Sequence, residues 1–356
     1  MDVSFYQGKK ILITGNTGFK GSWMTYWLLK LGANVVGYAL QPSTQPNMYE
    51  ILGLQKQVNT YYKDIRDYNS LLECFKKEKP EIVFHLAAQP LVRESYENPL
   101  YTYECNVMGT VNLLECIRTS DSVRSFLNVT TDKVYRNNEW EWGYRENDIL
   151  DGYDPYSNSK SCSELVTASY ARSFKKEMNT AISTARAGNV IGGGDFSKDR
   201  IVPDCLRAAE QGKDIFVRNP NSVRPYQHVL EPLAAYMMIA QEQYNNKEVC
   251  GNYNIGPENF DCVTTGVLAS MFCELWGNGL SWNTTQTEGP HEANFLKLDC
   301  SKIKKVFGWN STWDLKKALE KTIEWHQTYL SGTGIEQITS RQIDEFMKGN
   351  NKWQSI

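Results

Sequence analysis

Residues 9–21 read KKILITGNTGFKG, and this stretch decides the fold. Residues 11–13 form an apolar run, ILI, that is typical of a buried strand. Gly15, Gly18 and Gly21 follow it at intervals of three, which predicts a tight turn into a helix. At such a turn the missing side chains let a pyrophosphate approach backbone N–H groups at the positive end of the helix. The stretch therefore indicates a dinucleotide site, and the alternative is a glycine-rich turn without a ligand.

The rest of the first half alternates similar apolar runs with segments of helical length. Ile, Val, Leu and Phe fill the runs almost continuously, as they do in parallel strands that are buried on both faces. This alternation predicts an α/β fold with a doubly wound parallel sheet of the Rossmann type. The predicted strands are residues 9–15, 34–40, 81–87, 125–131 and 179–188, and the predicted helices are 18–31, 69–78, 99–119, 157–177, 313–328 and 335–347.

The alternation ends near residue 188, where loops rich in Gly and Pro begin to separate shorter elements. Such loops are expected of a lobe that is inserted after the last strands and carries binding residues. We therefore expect a dinucleotide-binding domain over 1–187, to which a segment near 229–270 returns. Residues 188–356 are expected to form mainly a smaller, substrate-binding lobe.

Composition excludes several classes of function. The chain has 356 residues, a net charge of -3 and scattered Lys and Arg, which does not favour nucleic-acid binding. The first residues lack an apolar signal region, and no stretch is apolar enough to span a bilayer, so we expect a cytoplasmic protein without a membrane partner. The nine cysteines contain no C-x-x-C pair and the four histidines have no metal-ligand spacing, so no metal is expected.

The adenosine end of the dinucleotide site departs from the common pattern. An acid usually ends the second strand and holds the ribose hydroxyls, but residues 37–41 read GYALQ. Lys20, inside the glycine loop, is compatible with a 2′-phosphate, so the choice between NAD and NADP stays open at this point. Asp64 and Ile65 are placed to meet the adenine, and the alternative for Asp64 is a helix N-cap.

Tyr156 and Lys160 lie four residues apart near the start of a predicted helix, so both side chains project from one face. A phenol with a pKa of about 10 is a poor base at neutral pH. A neighbouring ammonium and a positive nicotinamide ring both favour the phenolate, which can then take a proton from a hydroxyl while hydride leaves the same carbon. The alternative is an ordinary exposed pair on an amphipathic helix.

Thr131, Asp132 and Lys133 follow the fourth predicted strand, and ligands of open α/β sheets bind beyond the carboxyl ends of strands. A hydroxyl, a carboxyl and an amine at that place supply a hydrogen-bonding group, an acid for a leaving hydroxyl and a candidate base. Loss of water across a C–C bond needs such an acid and such a base. The alternative is a polar strand end that caps the next turn.

Seven segments together resemble the extended short-chain dehydrogenase/reductase family of NAD-dependent epimerases and dehydratases, over almost the whole chain. Lys133 stands where the dTDP-glucose branch carries Glu, which favours the branch that acts on CDP-linked sugars. The segments are TGNTGFKGSW (14–23), HLAAQPLVRESYENP (85–99), TTDKVY (130–135), EWGYRENDILDGYDPYSNSK (141–160), ARAGNVIGGGD (185–195), RNPNSVRPYQHVLEPL (218–233) and HEANFLKLDCSKIKKVFGW (291–309).

The resemblance implies a 4,6-dehydratase that converts CDP-glucose to CDP-4-dehydro-6-deoxyglucose for deoxysugar and surface polysaccharide synthesis. Tyr156 would deprotonate the sugar 4-hydroxyl, Lys160 would hold the nicotinamide ribose and lower the Tyr156 pKa, and Thr131 would bind the 4-oxygen. Lys133 would remove the C5 proton while Asp132 protonates the departing 6-hydroxyl.

The same resemblance assigns binding residues and an assembly. It implies a homodimer or homotetramer that pairs the helices near 99–119 and 157–177. For Arg224, the alternative to phosphate binding is a surface salt bridge. The implied NAD contacts are Gly15, Thr17, Gly18, Phe19, Gly21, Asp64, Ile65, Leu86, Ala87, Ala88, Tyr156 and Lys160, and the implied substrate contacts are Gln89, Asn189 and Arg224.

Three other functions stay open on the sequence. The chain could be a dehydratase or epimerase for a GDP-, dTDP- or UDP-linked sugar, although an epimerase has no need of an acid for a leaving hydroxyl. It could also be a non-catalytic nucleotide-sensing module, against which the intact Tyr156 and Lys160 argue. A simple alcohol reductase would not need the long C-terminal lobe.

Overall fold

The computed structural model describes residues 2–284 and 294–350, so the motif at 291–309 begins outside the described residues. Seven parallel strands form the central sheet, in the order β11-β6-β5-β4-β1-β2-β3. The strands are β1 (Lys10–Thr14), β2 (Asn34–Ala39), β3 (Asn59–Tyr62), β4 (Ile82–His85), β5 (Ser125–Val129), β6 (Ala181–Ala187), β7 (Val190–Ile191), β8 (Ile215–Val217), β9 (Val223–Pro225), β10 (Gln227–His228), β11 (Asn252–Ile255), β12 (Cys262–Thr264) and β13 (Trp282–Thr284).

Helices flank both faces of this sheet and continue into the C-terminal part of the chain. A π-helical segment, Glu104–Met108, joins α5 to α6, and a 3-10 turn, Asp132–Val134, follows β5. The α-helices are α1 (Phe19–Lys30), α2 (Met48–Ile51), α3 (Tyr68–Glu78), α4 (Val92–Glu97), α5 (Pro99–Tyr103), α6 (Gly109–Arg118), α7 (Pro155–Ser173), α8 (Ile201–Glu210), α9 (Leu230–Asn245), α10 (Thr265–Trp276), α11 (Ser301–Phe307), α12 (Leu315–Leu330) and α13 (Ile335–Gly349).

The predicted Rossmann-type sheet is confirmed, and the five predicted strands are β1, β2, β4, β5 and β6. Two strands of the sheet, β3 and β11, carry no apolar run that would have predicted them. Their sequences are NTYY and NYNI, and both strands lie at the edges of the sheet. An edge strand has one neighbour only and tolerates polar residues, so it lacks the signal of a central strand.

Two apolar cores lie on opposite faces of the sheet because successive side chains of a strand alternate in direction. Ile11 and Ile13 face the core that α1 and α9 cover, whereas Leu12 faces the core that α3 and α6 cover. Most residues of α9 are buried, since this helix packs between the sheet and the C-terminal helices. These cores fix the carboxyl ends of the strands relative to one another.

A third apolar core lies in the C-terminal part of the chain, between α8, α10, α12 and the short strand β8. The strand β11, however, belongs to the central sheet and pairs with β6. The division of the chain at residue 187 stays a prediction.

The crevice that the fold offers for a ligand is at the carboxyl ends of β1 and β4. The chain runs outward from β1 to β2 and β3 on one side, and to β4, β5 and β6 on the other. Open α/β sheets bind ligands at such a reversal of strand order. The glycine loop leaves β1 at this point.

Candidate active site

A cavity of about 1930 Å³ opens at this crevice. Ordinary small-molecule sites measure about 300–1,000 Å³, so this cavity has room for two ligands of nucleotide size. Every residue that the sequence predicted for the site lines it. Those residues are Gly15, Thr17, Gly18, Phe19, Gly21, Asp64, Ile65, Leu86, Ala87, Ala88, Gln89, Thr131, Asp132, Lys133, Tyr156, Lys160, Asn189 and Arg224.

The three glycines of the loop serve different purposes. Gly15 has φ +75°, and a Cβ there would lie 2.7 Å from the backbone nitrogen of Ala87. A Cβ at Gly21 would lie 2.1 Å from the backbone oxygen of Gly15, so only glycine lets α1 pack against the loop. At Gly18, by contrast, the nearest atom to a Cβ is that same oxygen at 3.5 Å, an ordinary contact. Packing of the fold therefore does not require glycine at position 18, and the missing side chain leaves room in the cavity wall.

The start of α1 fits the pyrophosphate of a dinucleotide. Gly18 is the N-cap residue, and no side chain caps the helix there. Backbone N–H groups of the first helical turn are the usual donors to a phosphate, and the helix dipole favours its negative charge. The open wall at Gly18 lets the phosphate come close to them.

At the adenosine end of the site, hydrogen bonds within the protein hold the loops in place, and β2 does not end in an acidic residue. Thr17 Oγ1 donates to the backbone oxygen of Leu40 at 2.9 Å, and the Tyr38 hydroxyl donates to the backbone oxygen of Asp64 at 3.1 Å. Asp64 is not a helix N-cap, because its carboxylate pairs with Arg66 and Asp67 caps α3. Polar residues missed by the sequence reasoning line the cavity here, namely Gln41, Ser43 and Lys63.

Lys20 lies on the opposite side from the one that the sequence suggested. The charges that act on it are those of Arg200, Lys160 and Asp132, so it belongs to the reaction centre and not to the adenosine ribose. Burial, together with the two nearby cations, lowers the pKa of Lys20 to about 8. Lys20 therefore gives no support to a site for a 2′-phosphate.

Tyr156 and Lys160 enter the cavity from the first turns of α7, whose N-cap is the side chain of Asp154. Lys160 is buried, and its Nζ donates to the backbone oxygen of Val129 at 3.1 Å. This contact ties α7 to the end of β5. The alternative of an exposed pair on an amphipathic helix is therefore wrong.

Burial opposes the phenolate form of Tyr156 that the reaction requires. Burial raises the pKa of Tyr156 to about 12, and the charge of Asp132 adds to the rise. The Thr131 hydroxyl and the charge of Arg200 oppose the rise. Burial also lowers the pKa of Lys160 to about 8, because the ammonium is removed from water.

Asp132 has the properties of a buried general acid. Its side chain is 2% exposed, and its Oδ1 accepts a hydrogen bond from Thr131 Oγ1 at 3.0 Å. Its Oδ2 has no hydrogen-bond partner among the described residues. Burial raises the Asp132 pKa above the usual value, while the charge of Lys133 opposes the rise. A carboxyl in this state keeps its proton to higher pH and can give it to a leaving group.

Thr131 has two neighbours within the motif. Besides donating to Asp132, its hydroxyl accepts from the backbone nitrogen of Lys133 at 3.4 Å and so caps the 3-10 turn. Thr131 therefore caps the turn, as the alternative for this motif predicted, and it also lies on the cavity wall.

A buried ion pair connects the elements around Thr131, Asp132 and Lys133. Arg186 on β6 makes two contacts of 3.0 Å with the Glu164 carboxylate on α7, and both side chains are at most 1% exposed. Thr130, the residue before the motif, donates to Glu164 at 2.5 Å. This network joins α7, β6 and the end of β5, and the sequence reasoning missed it because its members are distant in the chain.

The three predicted substrate residues differ in how freely they face the cavity. The Gln89 amide is engaged within the protein, where it donates to Thr102 and accepts from the backbone nitrogen of Leu91. Arg224 is buried, and its charge acts on Asp132, so the surface salt bridge is wrong for it. Asn189 lies between β6 and β7, and its backbone oxygen accepts from Gln227. Their contacts with substrate stay predictions.

Arg200 is a further functional residue that the sequence reasoning missed. It pairs with Asp195 at 3.0 Å, lines the cavity, and its charge acts on both Tyr156 and Lys20. With Arg224 it makes the substrate side of the cavity cationic, which suits a diphosphate. Only the folded chain brings it to Tyr156.

Two further features concern metal binding and membrane spanning. Within residues 2–284 and 294–350, no group of three or more His, Cys, Asp or Glu side chains could hold a metal ion. In the same part of the chain, none of the helices combines the length and the apolar character that crossing a membrane requires.

Comparisons with known proteins identify the family of the chain. A family described as GDP-mannose 4,6 dehydratase matches residues 12–322. A CDP-glucose 4,6-dehydratase of Salmonella typhimurium is 44% identical over 99% of this chain and 100% of its own length. A dTDP-D-glucose 4,6-dehydratase of Dictyostelium discoideum is 30% identical over 70% of this chain and 58% of its own length.

Solved structures agree in fold. A UDP-glucose 4-epimerase of Thermotoga maritima superposes with a TM-score of 0.79 at 23% identity, over 90% of this chain and 99% of that one. A dTDP-glucose 4,6-dehydratase of Bacillus anthracis gives a TM-score of 0.76 at 21% identity, over 90% of this chain and 97% of that one. At these identities the likeness concerns the fold alone.

Proposed function

The chain belongs to the GDP-mannose 4,6-dehydratase family, and we propose that it removes water from CDP-glucose with NAD as its cofactor. The product would be CDP-4-dehydro-6-deoxyglucose, a precursor of deoxysugars. The choice of CDP rests on the relative that is 44% identical over the full length of both chains. The observation that carries the dehydration is the buried Asp132 carboxyl, with its raised pKa, beside Thr131 and Tyr156.

Tyr156 is proposed to act first, as the base for the sugar 4-hydroxyl. In the structure its pKa is about 12, so the phenolate needs a further positive charge nearby. When bound, NAD supplies that charge on its nicotinamide ring, accepts a hydride from C4 and gives a hydride back at C6. Thr131 holds the oxygen at C4 while Tyr156 takes its proton.

Asp132 and Lys133 are proposed to eliminate water from the resulting ketone. The 4-keto group acidifies the C5–H bond, Lys133 takes the proton from C5, and Asp132 gives a proton to the departing 6-hydroxyl. For this step Lys133 acts as the neutral amine, and it becomes an ammonium as it takes the proton from C5.

The final step returns the hydride to C6 rather than to C4. Hydride addition at C6 leaves an electron pair at C5, and Lys133 returns its proton there. The product keeps its keto group, so Tyr156 ends with the proton of the 4-hydroxyl while Asp132 has lost its own. One proton therefore passes from Tyr156 to Asp132 through exchangeable groups before the next cycle. The cofactor ends each cycle oxidised, as it began, so turnover requires no exchange with free NAD.

The experiment that tests this function is a substrate panel in heavy water. The purified protein with NAD is incubated with CDP-glucose, dTDP-glucose, GDP-mannose and UDP-N-acetylglucosamine, and each sugar nucleotide is followed by mass spectrometry. We expect CDP-glucose alone to lose water and to gain one deuterium, because C5 is reprotonated from exchangeable groups.

Other results would contradict the proposed substrate or the proposed activity. Water loss from a different sugar nucleotide would keep the dehydration and overturn the substrate. A panel without any change would overturn the proposed activity and favour a nucleotide-sensing role. A change of configuration at C4 without water loss would indicate an epimerase.

We also propose a dimer built on α5, the π-helical segment and α7. Leu100, Met108 and Leu165 lie on these neighbouring elements and are 73%, 51% and 54% exposed. A group of exposed apolar side chains indicates an interaction surface. Light scattering after size-exclusion chromatography should give twice the mass of the chain or a multiple of that. A Leu165→Glu variant should shift the protein to monomers, whereas a monomeric parent protein would contradict the proposal.

A cytoplasmic location is supported by the cysteines. All nine are unpaired thiols in the structure, which fits a reducing compartment.

A further inference from the structure

The cavity continues beyond Tyr156 into the C-terminal part of the chain. Its walls there are the loop before α8 and the residues around β8 and β9. If the sugar lies at Tyr156 and the cofactor lies along the glycine loop, the nucleoside of the substrate has to extend into this part. This step rests on the proposed function.

Phe216 offers a flat surface in that part of the cavity. Its neighbours in β8, Ile215 and Val217, are buried in the third apolar core. Because side chains alternate along a strand, Phe216 points the other way, where it lines the cavity and is 61% exposed. An exposed aromatic ring in a cavity wall is a stacking surface for a base.

Asp199 and Arg218 line the same cavity as this ring. Arg218 is two residues after Phe216, and its Nη1 contacts Asp199 Oδ1 at 2.8 Å. Arg93 approaches the same carboxylate oxygen at 3.8 Å from α4, on the other side of the cavity. All of these side chains line the cavity.

Stability of the fold does not account for this ion pair. Asp199 and Arg218 are 50% and 33% exposed, and ion pairs at such exposure contribute little to folding. The backbone of Asp199 has φ +58°, a left-handed conformation that is uncommon outside glycine, although Asp and Asn adopt it more readily than other residues. A residue held in this way at the wall of a binding cavity points to a role in binding.

We propose that Asp199 and Arg218 select cytosine as the base of the nucleotide sugar, with Phe216 as the ring on which it stacks. A carboxylate only accepts hydrogen bonds and a guanidinium only donates them. Cytosine presents an amino donor at C4 and acceptors at N3 and O2, so it matches this pair. Held in the same register, uracil and thymine place an oxygen against the carboxylate and an N3–H group against the guanidinium, so they must shift along the pair before N3–H reaches the carboxylate.

Nucleotide binding tests this without any need for turnover. CDP and UDP are titrated into the NAD-loaded protein by calorimetry, and kcat/KM is measured for CDP-glucose and UDP-glucose. The wild type should prefer CDP, and Asp199→Asn should reduce that preference by about 10- to 100-fold, since an amide can face either base. Asp199→Gly should act in the same direction, because glycine adopts φ +58° without strain.

Asp214→Asn is the matched control. Asp214 also lies next to β8, but its carboxylate accepts from Ser281 and Asn283 and it does not line the cavity. This variant should keep the preference for CDP. Phe216→Ala should weaken CDP and UDP equally, since stacking does not distinguish the two bases.

The outcomes separate this inference from the proposed function. A CDP preference that survives in both Asp199 variants would overturn the inference even if CDP-glucose is dehydrated. So would a wild type that binds UDP as tightly as CDP, or a Phe216→Ala variant with undiminished affinity for both. A protein that prefers CDP through Asp199 but does not dehydrate CDP-glucose would support the inference and overturn the function.

Discussion

Asp132 is the residue on which the proposed reaction depends most. A hydroxyl is a poor leaving group, and a buried carboxyl that keeps its proton can make it leave as water. The raised pKa follows from burial, against the opposing charge of Lys133. A variant that lacks this proton should therefore still oxidise the sugar but dehydrate it slowly.

We predict that Asp132→Asn retains oxidation at C4 but loses water from the sugar at least about 100-fold more slowly, the usual contribution of a general acid. The amide keeps an oxygen that accepts from Thr131, so the motif should stay in place. Stopped-flow absorbance should then show enzyme-bound NADH that persists, while mass spectrometry shows little product. Asp121→Asn, at an exposed position, serves as control, and a variant that forms product at the wild-type rate would contradict the role of Asp132.

The glycine loop allows a second test at the scale of single residues. Gly21→Ala should destabilise the protein by several kcal/mol, because its Cβ would lie 2.1 Å from the backbone oxygen of Gly15. Gly18→Ala should leave the melting temperature nearly unchanged but weaken NAD binding, since its Cβ projects into the open wall. Thermal melting and fluorescence titration with NAD measure the two effects. Equal losses of stability in both variants would contradict this division.

Among the elements, α7 matters most because it carries both Tyr156 and Lys160. Its position relative to the strands depends on the buried pair of Glu164 and Arg186. If this pair is broken, Arg186 remains as a buried charge without its partner. The cost of such a change is far greater than the net contribution of an exposed ion pair.

We predict that Glu164→Gln lowers the free energy of unfolding by about 3–5 kcal/mol. The matched variant Glu115→Gln, which breaks the half-exposed pair with Arg118, should cost about 1 kcal/mol or less. Urea denaturation of both variants measures the difference. Comparable costs would show that the buried pair does not hold α7.

The sequence predicted central elements better than peripheral ones. The apolar runs of β1, β4 and β5 predicted strands correctly because these strands are buried on both faces. β3 and β11 were missed because edge strands of this sheet are built from polar residues. The site residues next to central strand ends were accessible to the same reasoning.

At the scale of the whole molecule, Glu231 links α9 to the loop before α12. Its buried carboxylate accepts from the backbone nitrogens of Thr312 and Trp313 at 2.9 and 2.7 Å. Burial raises the pKa of Glu231 to about 8. The folded protein therefore binds a proton that the unfolded chain, with a carboxyl pKa near 4.5, gives up.

We predict that this proton makes the protein less stable as pH rises from about 5 to above 8. The contribution is complete below the unfolded pKa and is lost as pH passes through the folded value near 8. In Glu231→Gln the fall should be smaller by roughly 2–4 kcal/mol, given about 1.4 kcal/mol for each unit of pKa shift. Urea denaturation at pH 5 and pH 8.5 tests this, and parallel pH profiles of the two proteins would contradict it.

Long-range features of the site could not be predicted from the sequence. Asp199 and Arg200 lie in no motif, and Arg218 begins the segment 218–233 without a role that the sequence assigns to it. All three reach the cavity only through the path of the chain between β7 and β9. Lys20 was considered for a 2′-phosphate, but the charges that act on it are those of the reaction centre, since its direction depends on the orientation of α1. A sequence also does not show how strongly burial favours the neutral phenol of Tyr156 and so raises its pKa.

The central claim is that one active site oxidises, dehydrates and reduces the same sugar with a cofactor that stays bound. The most direct test is to follow deuterium from C4 of CDP-glucose during turnover in ordinary water. This deuterium should appear in the C6 methyl group of the product, within the same molecule and without release of NADH. Loss of the label to solvent or to free NADH, or its retention at C4, would contradict it.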